Sequence, residues 1–200
     1  MTEAYTDSGL PLEYYKSYDA SWHDTHQYFD AYSDFNPSEL ATCADSSVSA
    51  ASLETYVRLT GDTAGVVNTS GVLTKRCWFD HFWFSPACRD QPERCVPSVT
   101  GDVGWGVTQR MQQAATFNMP IAIVITKTTS LWRVVGRRHP NLLYWWEPEI
   151  SFIDLAPTLV AFPPHDALQH GQGNLITSMK SLRLSKALYR GLNSAAPRVN

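Results

Sequence analysis

Aromatic rings, with a few carboxylates beside them, are the groups in this chain best supplied for chemistry. Trp78, Phe79, Phe82, Trp83 and Phe84 fall within seven positions, and Trp105 lies between Gly104 and Gly106. The stretch "LLYWWEPEISF" sets Tyr144, Trp145 and Trp146 side by side, then Glu147 and Glu149 around Pro148. An indole face attracts a cation through its ring quadrupole. A quaternary ammonium suits it well, because such a group donates no hydrogen bond and loses its water cheaply. Each ring contributes about 0.5–2 kcal/mol, so three supply a few kcal/mol against the ~8 that micromolar binding requires. Apolar burial or a charge must supply the rest. The competing role for the same rings is to pack a core.

Other chemistries lack a motif. The sequence contains no nucleophile elbow, Walker loop, Gly-rich dinucleotide turn or HExxH helix. His23 and His26 stand at helical spacing with no third ligand indicated, which reads as a surface pair. Asp80 and His81 lie near Ser85, but adjacency along a chain is no evidence for a hydrolytic arrangement. No metal or cofactor is expected.

Cys43, Cys77, Cys88 and Cys95 form an even set without a C-x2-C knuckle, which argues for disulfides over zinc. Three pairings are open, and Cys88 with Cys95 and Cys43 with Cys77 is the one favoured. Asn68-Thr69-Ser70 is an N-glycosylation sequon. No signal segment is read at the N-terminus, yet the cysteines argue for an oxidising compartment. Together these point to an extracellular or lumenal piece of a longer protein.

The 200 residues, 44% hydrophobic and 12% aromatic, are ample for a packed core. A net charge of -3 with no like-charge block excludes a nucleic-acid footprint. The longest apolar run, near Met119 to Ile125, is far below the roughly 20 residues that span a bilayer.

Elements that could position the rings follow from periodicity. "SSVSAASLETYVRLTG" predicts a helix stopped by Gly61, and "AGVVNTSGVLTKRCWFDHFWFSP" predicts strands joined by tight turns. "WGVTQRMQQAATFNM" predicts a helix burying Val107, Met111, Ala114 and Ala115, with Gln109, Arg110, Gln112 and Gln113 mostly on other faces. "PIAIVIT" predicts a strand buried on both faces. "TSLWRVVGRRH" predicts a further helix leading into a second buried strand, "LLYWW". Helix, strand, helix, strand implies an α/β sheet, whose ligands gather at the carboxyl ends of the strands. Residues 1–40 read as an aromatic and acidic segment, 41–165 as the α/β domain, and 166–200 as a loop followed by a basic amphipathic helix, "LITSMKSLRLSKALYRGL".

"TGDTAGVVNTSGVLTKRCWFDHFWFSP" and "GVTQRMQQAATFNMPIAIVITKTTSLWRVVGRRHPNLLYWWEPEISFIDL" resemble the substrate-binding proteins of glycine betaine, choline and proline betaine ABC importers. "FWFSPACR" and "YWWEPEISFIDL" resemble most the betaine-binding-like domains of large protist and algal proteins. The resemblance runs from about Thr60 to Phe162. It implies a periplasmic-binding-protein-like α/β lobe, with helices flanking a mostly parallel sheet and part of the two-lobed domain missing. It implies a non-catalytic aromatic box around a quaternary ammonium, with Trp146 of the W-x-P motif foremost, then Trp83 and Trp78, then Trp105, and Tyr144 nearby. Implied partners are a small quaternary amine or zwitterion, and a membrane permease or a membrane-anchored remainder of the same chain. Where many bacterial members carry His after W-x-P, this chain has Glu149. That carboxylate favours a cation and opposes a zwitterion's carboxylate.

Overall fold

The computed structural model describes residues 33–92, 95–138, 141–144, 158–160 and 182–184, the last two stretches and Tyr144 by backbone alone. Helix α1, Ala50–Thr60, starts where the Ser49 hydroxyl accepts the Ser52 N–H and ends at Gly61 in the left-handed conformation. It buries Leu53 and Tyr56. Val66–Thr69 (β1) and Val72–Lys75 (β2) then form a two-stranded antiparallel hairpin separate from the main sheet.

The main sheet has six strands in the order β3-β5-β4-β6-β8-β7, from Trp83–Phe84 (β3), Val96–Thr100 (β4), Ile121–Ile125 (β5), Leu142–Tyr144 (β6), Thr158–Val160 (β7) and Leu182–Leu184 (β8). Its middle is parallel: β4 lies between β5 and β6 and runs with both. Antiparallel strands close the two sides, β3 against β5 and β8 against β6, with β7 outermost. The chain is therefore a mixed α/β domain.

Helices cover both faces. Val107–Thr116 (α2) connects β4 to β5 and packs Val107, Met111 and Ala114 on the face that carries Val96, Ile121, Ile123 and Ile125. Thr129–Arg138 (α3) connects β5 to β6 and packs Trp132 and Val135 on the opposite face, against Val99, Ala122, Val124 and Leu143. α1 lies over α2 in the first layer, through Leu53 and Tyr56. Full burial of side chains such as Ile121 and Leu143 contributes about 1.5–3 kcal/mol each.

Three features depart from the sequence expectations. The central strand β4 was not among the expected elements, and it carries Pro97 inside it. In a parallel strand one residue's N–H and C=O face the same neighbour. The Val96 N–H donates to Pro120 O at 2.8 Å, so Val96 and Ser98 face β5, and Pro97 faces β6, whose pairing starts opposite Ser98. The missing donor therefore sits where no acceptor is waiting. Second, Arg110, Gln112 and Gln113 of α2 are buried at 3%, 0% and 3% exposure rather than turned to water, because α2 is covered by α1 as well as by the sheet. Third, Leu182–Leu184 is strand β8, not part of a basic helix. Its Leu-Arg-Leu alternation suits a strand, and pairing with β6 ties these three residues into the same sheet.

All four cysteines are paired, Cys43 with Cys77 and Cys88 with Cys95, which is the favoured pairing. The separations are 34 and 7 residues. In the chain-entropy account they contribute about 3.8 and about 2.5 kcal/mol. Two disulfides are the chemistry of an oxidising, extracellular-type compartment. No helix among the described residues is long and apolar enough to cross a membrane.

Candidate functional site

The connections set where a ligand could sit. α2 carries the chain from β4 to β5 on one side, and α3 carries it back across to β6 on the other, so the strand order reverses between β4 and β6. In open α/β sheets the crevice at the carboxyl ends of such a strand pair is the usual ligand site. Here the register pairs Ser98 with Leu142 and Val99 with Leu143. The loop after Thr100 thus leaves the sheet beside the carboxyl end of β6.

The first of these loops, Gly101 to Gly106, is tightly organised. The Asp102 carboxylate accepts the Gly104 N–H at 2.7 Å, Thr100 Oγ1 donates to Asp102 O at 3.2 Å, and the buried Arg110 donates to Trp105 O at 3.1 Å. Trp105 is half-buried, its ring edge-on to Trp132 of α3 at 5.4 Å. Gly101 is required here, since a Cβ would lie 2.8 Å from the Trp105 ring and 3.1 Å from Trp132 Cβ. On the other flank of the loop, the backbone at Gly104 and Gly106 lines a cleft of about 330 Å³. Its far wall is the start of α1, from Ser47 to Ser52. Lys75 Nζ braces that wall by donating to Ser46 Oγ at 2.7 Å. Lys75 is 8% exposed, and burial pushes its ammonium down to about 8.

The second aromatic group lies at the β3 edge and is organised around a cation of the protein itself. The Arg89 guanidinium lies 5.5 Å from the Trp78 ring centroid and 5.7 Å from that of Trp83. It grips Asp62 with two bonds of 2.5 Å and donates from Nε to Phe84 O at 3.1 Å. Tyr56 donates to the same Asp62 carboxylate and stands edge-on to Trp83. Burial would raise Asp62, but hydrogen bonds from Arg89 and Tyr56 and the Arg89 charge hold it below the usual carboxylate range. Burial and then the Asp62 hydrogen bond push the Tyr56 phenol up. Gly65 admits the cluster: a Cβ there would overlap Asp62 and Arg89 and lie 3.2 Å from Trp83 Nε1.

The turn that delivers Trp78 is strained. Phe79 and Asp80 have φ of 50° and 61°, and the hairpin closes through Trp78 and Phe82, each N–H meeting the other's C=O. Cys77 precedes the turn, and the Cys43 N–H donates to Asp80 O at 3.0 Å, so the disulfide and that bond hold it.

Of the residues singled out in sequence, Trp83 is 1% exposed, with its Nε1–H donated to Gly65 O at 3.1 Å. Trp78 is half-buried and stacks on Phe84 at 5.2 Å. These two share Arg89, whereas Trp105 packs against α3. Tyr144 ends β6. Trp146 and Glu149, like His23 and His26, lie outside the described residues. His81 Nδ1 is 3.0 Å from Ala41 O. Ser85 Oγ bridges β3 to β5, donating to Met119 O at 2.6 Å and accepting the Ile121 N–H at 3.1 Å. Among the described residues no group of three or more His, Cys, Asp or Glu side chains could hold a metal.

Sequence reasoning missed Arg89, Asp62 and Lys75. The available signal for Arg89 was its place in "FWFSPACRD", one cation in a ring-rich stretch. No family model matches this chain, and neither curated proteins nor solved structures give a match.

Proposed function

We propose that this chain is a non-catalytic binding lobe for a small quaternary-ammonium-type ligand, held at the carboxyl ends of β4 and β6. The observation that supports the reading is the β4–β6 register, which sets the start of the Trp105 loop beside the carboxyl end of β6, two residues before Trp146 in sequence. Two tryptophan-bearing segments from separate loops are what an aromatic cage requires. Trp105 and Trp146 are the rings carried into the proposed site, with Tyr144 and Glu149 beside them. Trp78 and Trp83 are left out of it, because Arg89 already lies against both.

The resemblance to betaine and choline importer proteins supports the same reading, with this chain as one lobe of a periplasmic-binding-type fold. In that setting the other lobe and a permease, or a membrane-anchored remainder, complete the working protein. The Glu149 carboxylate favours choline over glycine betaine, since a second carboxylate in a low-dielectric cleft is repelled.

Calorimetry of the full chain with choline, glycine betaine and carnitine tests the proposal. Choline is expected to bind best, and Trp146→Ala is expected to weaken it at least tenfold. Folded protein that gives no heat with any of the three overturns it. The Arg89 cluster favours a second reading, in which the tryptophans serve only packing. That reading predicts no ligand heat and no binding effect of any tryptophan substitution.

A further inference from the structure

We propose that Asn68 is an N-glycosylation site of the folded protein, its side-chain amide nitrogen carrying an oligosaccharide. Asn68-Thr69-Ser70 is the one usable sequon in the sequence, because Pro37 blocks the other candidate, Asn36-Pro37-Ser38. A sequon alone is weak. The structure adds three observations.

The first is position. Asn68, Thr69 and Ser70 are all exposed, at the tip of the β1–β2 hairpin, whose strands pair only with each other among the described residues. A bulky polar modification there meets no packed neighbour.

The second is orientation. The Asn68 side chain accepts the Gly71 backbone N–H through Oδ1 at 2.9 Å. A backbone N–H only donates, so the amide oxygen is fixed toward the turn and Nδ2 is directed away from it. Attachment at Nδ2 leaves Oδ1 its lone pairs, and the bond that closes the turn survives the modification. An asparagine whose nitrogen made the turn contact would lose it.

The third is compartment. Both disulfides are formed, which is the chemistry of an oxidising compartment, and the oxidising lumen of a secretory pathway is also where such glycans are added. The co-reactant is a lipid-pyrophosphate-linked oligosaccharide. The bond from Nδ2 to the sugar C1 forms as the bond from C1 to the pyrophosphate oxygen breaks. The pyrophosphate leaves with the bonding electrons, one amide proton passes to a base of the transferring enzyme, and nothing is oxidised or reduced.

The test is to secrete the full chain from a eukaryotic cell and map its peptides before and after enzymatic deglycosylation. The expected result is a single mobility step, lost on deglycosylation, with the mass change on the peptide carrying Asn68. Ser70→Gly removes the sequon hydroxyl while accommodating the φ of 53° at that position, and is expected to abolish the step while the chain remains folded by circular dichroism. Ser70→Thr is expected to keep it. An unmodified Asn68 in secreted chain with both disulfides formed overturns the proposal, and so does a glycan that persists in Ser70→Gly.

Discussion

The two tryptophan-bearing regions differ in how their rings are occupied. At the β3 edge Trp78 and Trp83 lie against Arg89, whose charge is balanced by Asp62. At the carboxyl end of β4 Trp105 is half-buried, its ring edge-on to Trp132. The same residue type thus supports a closed ionic core in one place and a loop beside a strand-order reversal in the other. Ring supply alone cannot distinguish a ligand cage from a cage that the protein fills itself.

The largest effect that would break this contrast is at Arg89. Arg89→Ala leaves the part-buried Asp62 carboxylate with only the Tyr56 hydroxyl and the Gly65 N–H, and on the order of 3 kcal/mol of stability is expected to go, read by chemical denaturation. A loss below about 1 kcal/mol would mean that the β3 edge is not held by its ion pair. Lys75→Met tests the brace beside the 330 Å³ cleft. Burial lowers this lysine from 10.5 to about 8, so between those pH values the unfolded chain binds more protons and stability rises with pH. Below pH 8 the ammonium is buried in the folded state at full cost. Lys75→Met is therefore expected to stabilise the protein at pH 7 by on the order of 3 kcal/mol and to flatten the thermal midpoint between pH 8 and 10.5. A midpoint that falls at pH 7 would contradict it.

Smaller effects separate the rings by binding rather than stability. Trp105→Ala is expected to weaken choline about tenfold in the calorimeter, roughly 1.4 kcal/mol. Trp83→Phe is expected to leave choline affinity unchanged, because the Trp83 ring is 1% exposed and faces Arg89. If Trp83→Phe weakens binding and Trp105→Ala does not, the two regions exchange roles.

What could be read in the sequence tracks how local its cause is. α1 is announced by the Ser49 cap and Gly61 stop, and β5 by an unbroken β-branched run, both set by adjacent residues. β4 was hidden because a proline is tolerated inside it only thanks to where β6 begins, a fact of the tertiary register. β8 was hidden because Leu182 and Leu184 flank an arginine in a stretch that also reads as amphipathic helix. The candidate site divides the same way. The tryptophans were visible at once, but Arg89 meets Trp83 only after β3 has joined the sheet and Asp62 has come up beneath it, across 27 residues.

The placement of the parallel core within one stretch of chain also bears on synthesis. β4, α2, β5, α3 and β6 all come from residues 96–144, whereas α1 and the hairpin precede them. As the chain emerges from the ribosome, Leu53 and Tyr56 of α1 can meet the hairpin and Trp83 first, and are covered by α2 only when it follows. Cys43 and Cys77 have both appeared by then and can bond first. The early disulfide would hold the hairpin beside α1 while the sheet that covers them is still being made, limiting the interval in which α1's apolar face is open to aggregation.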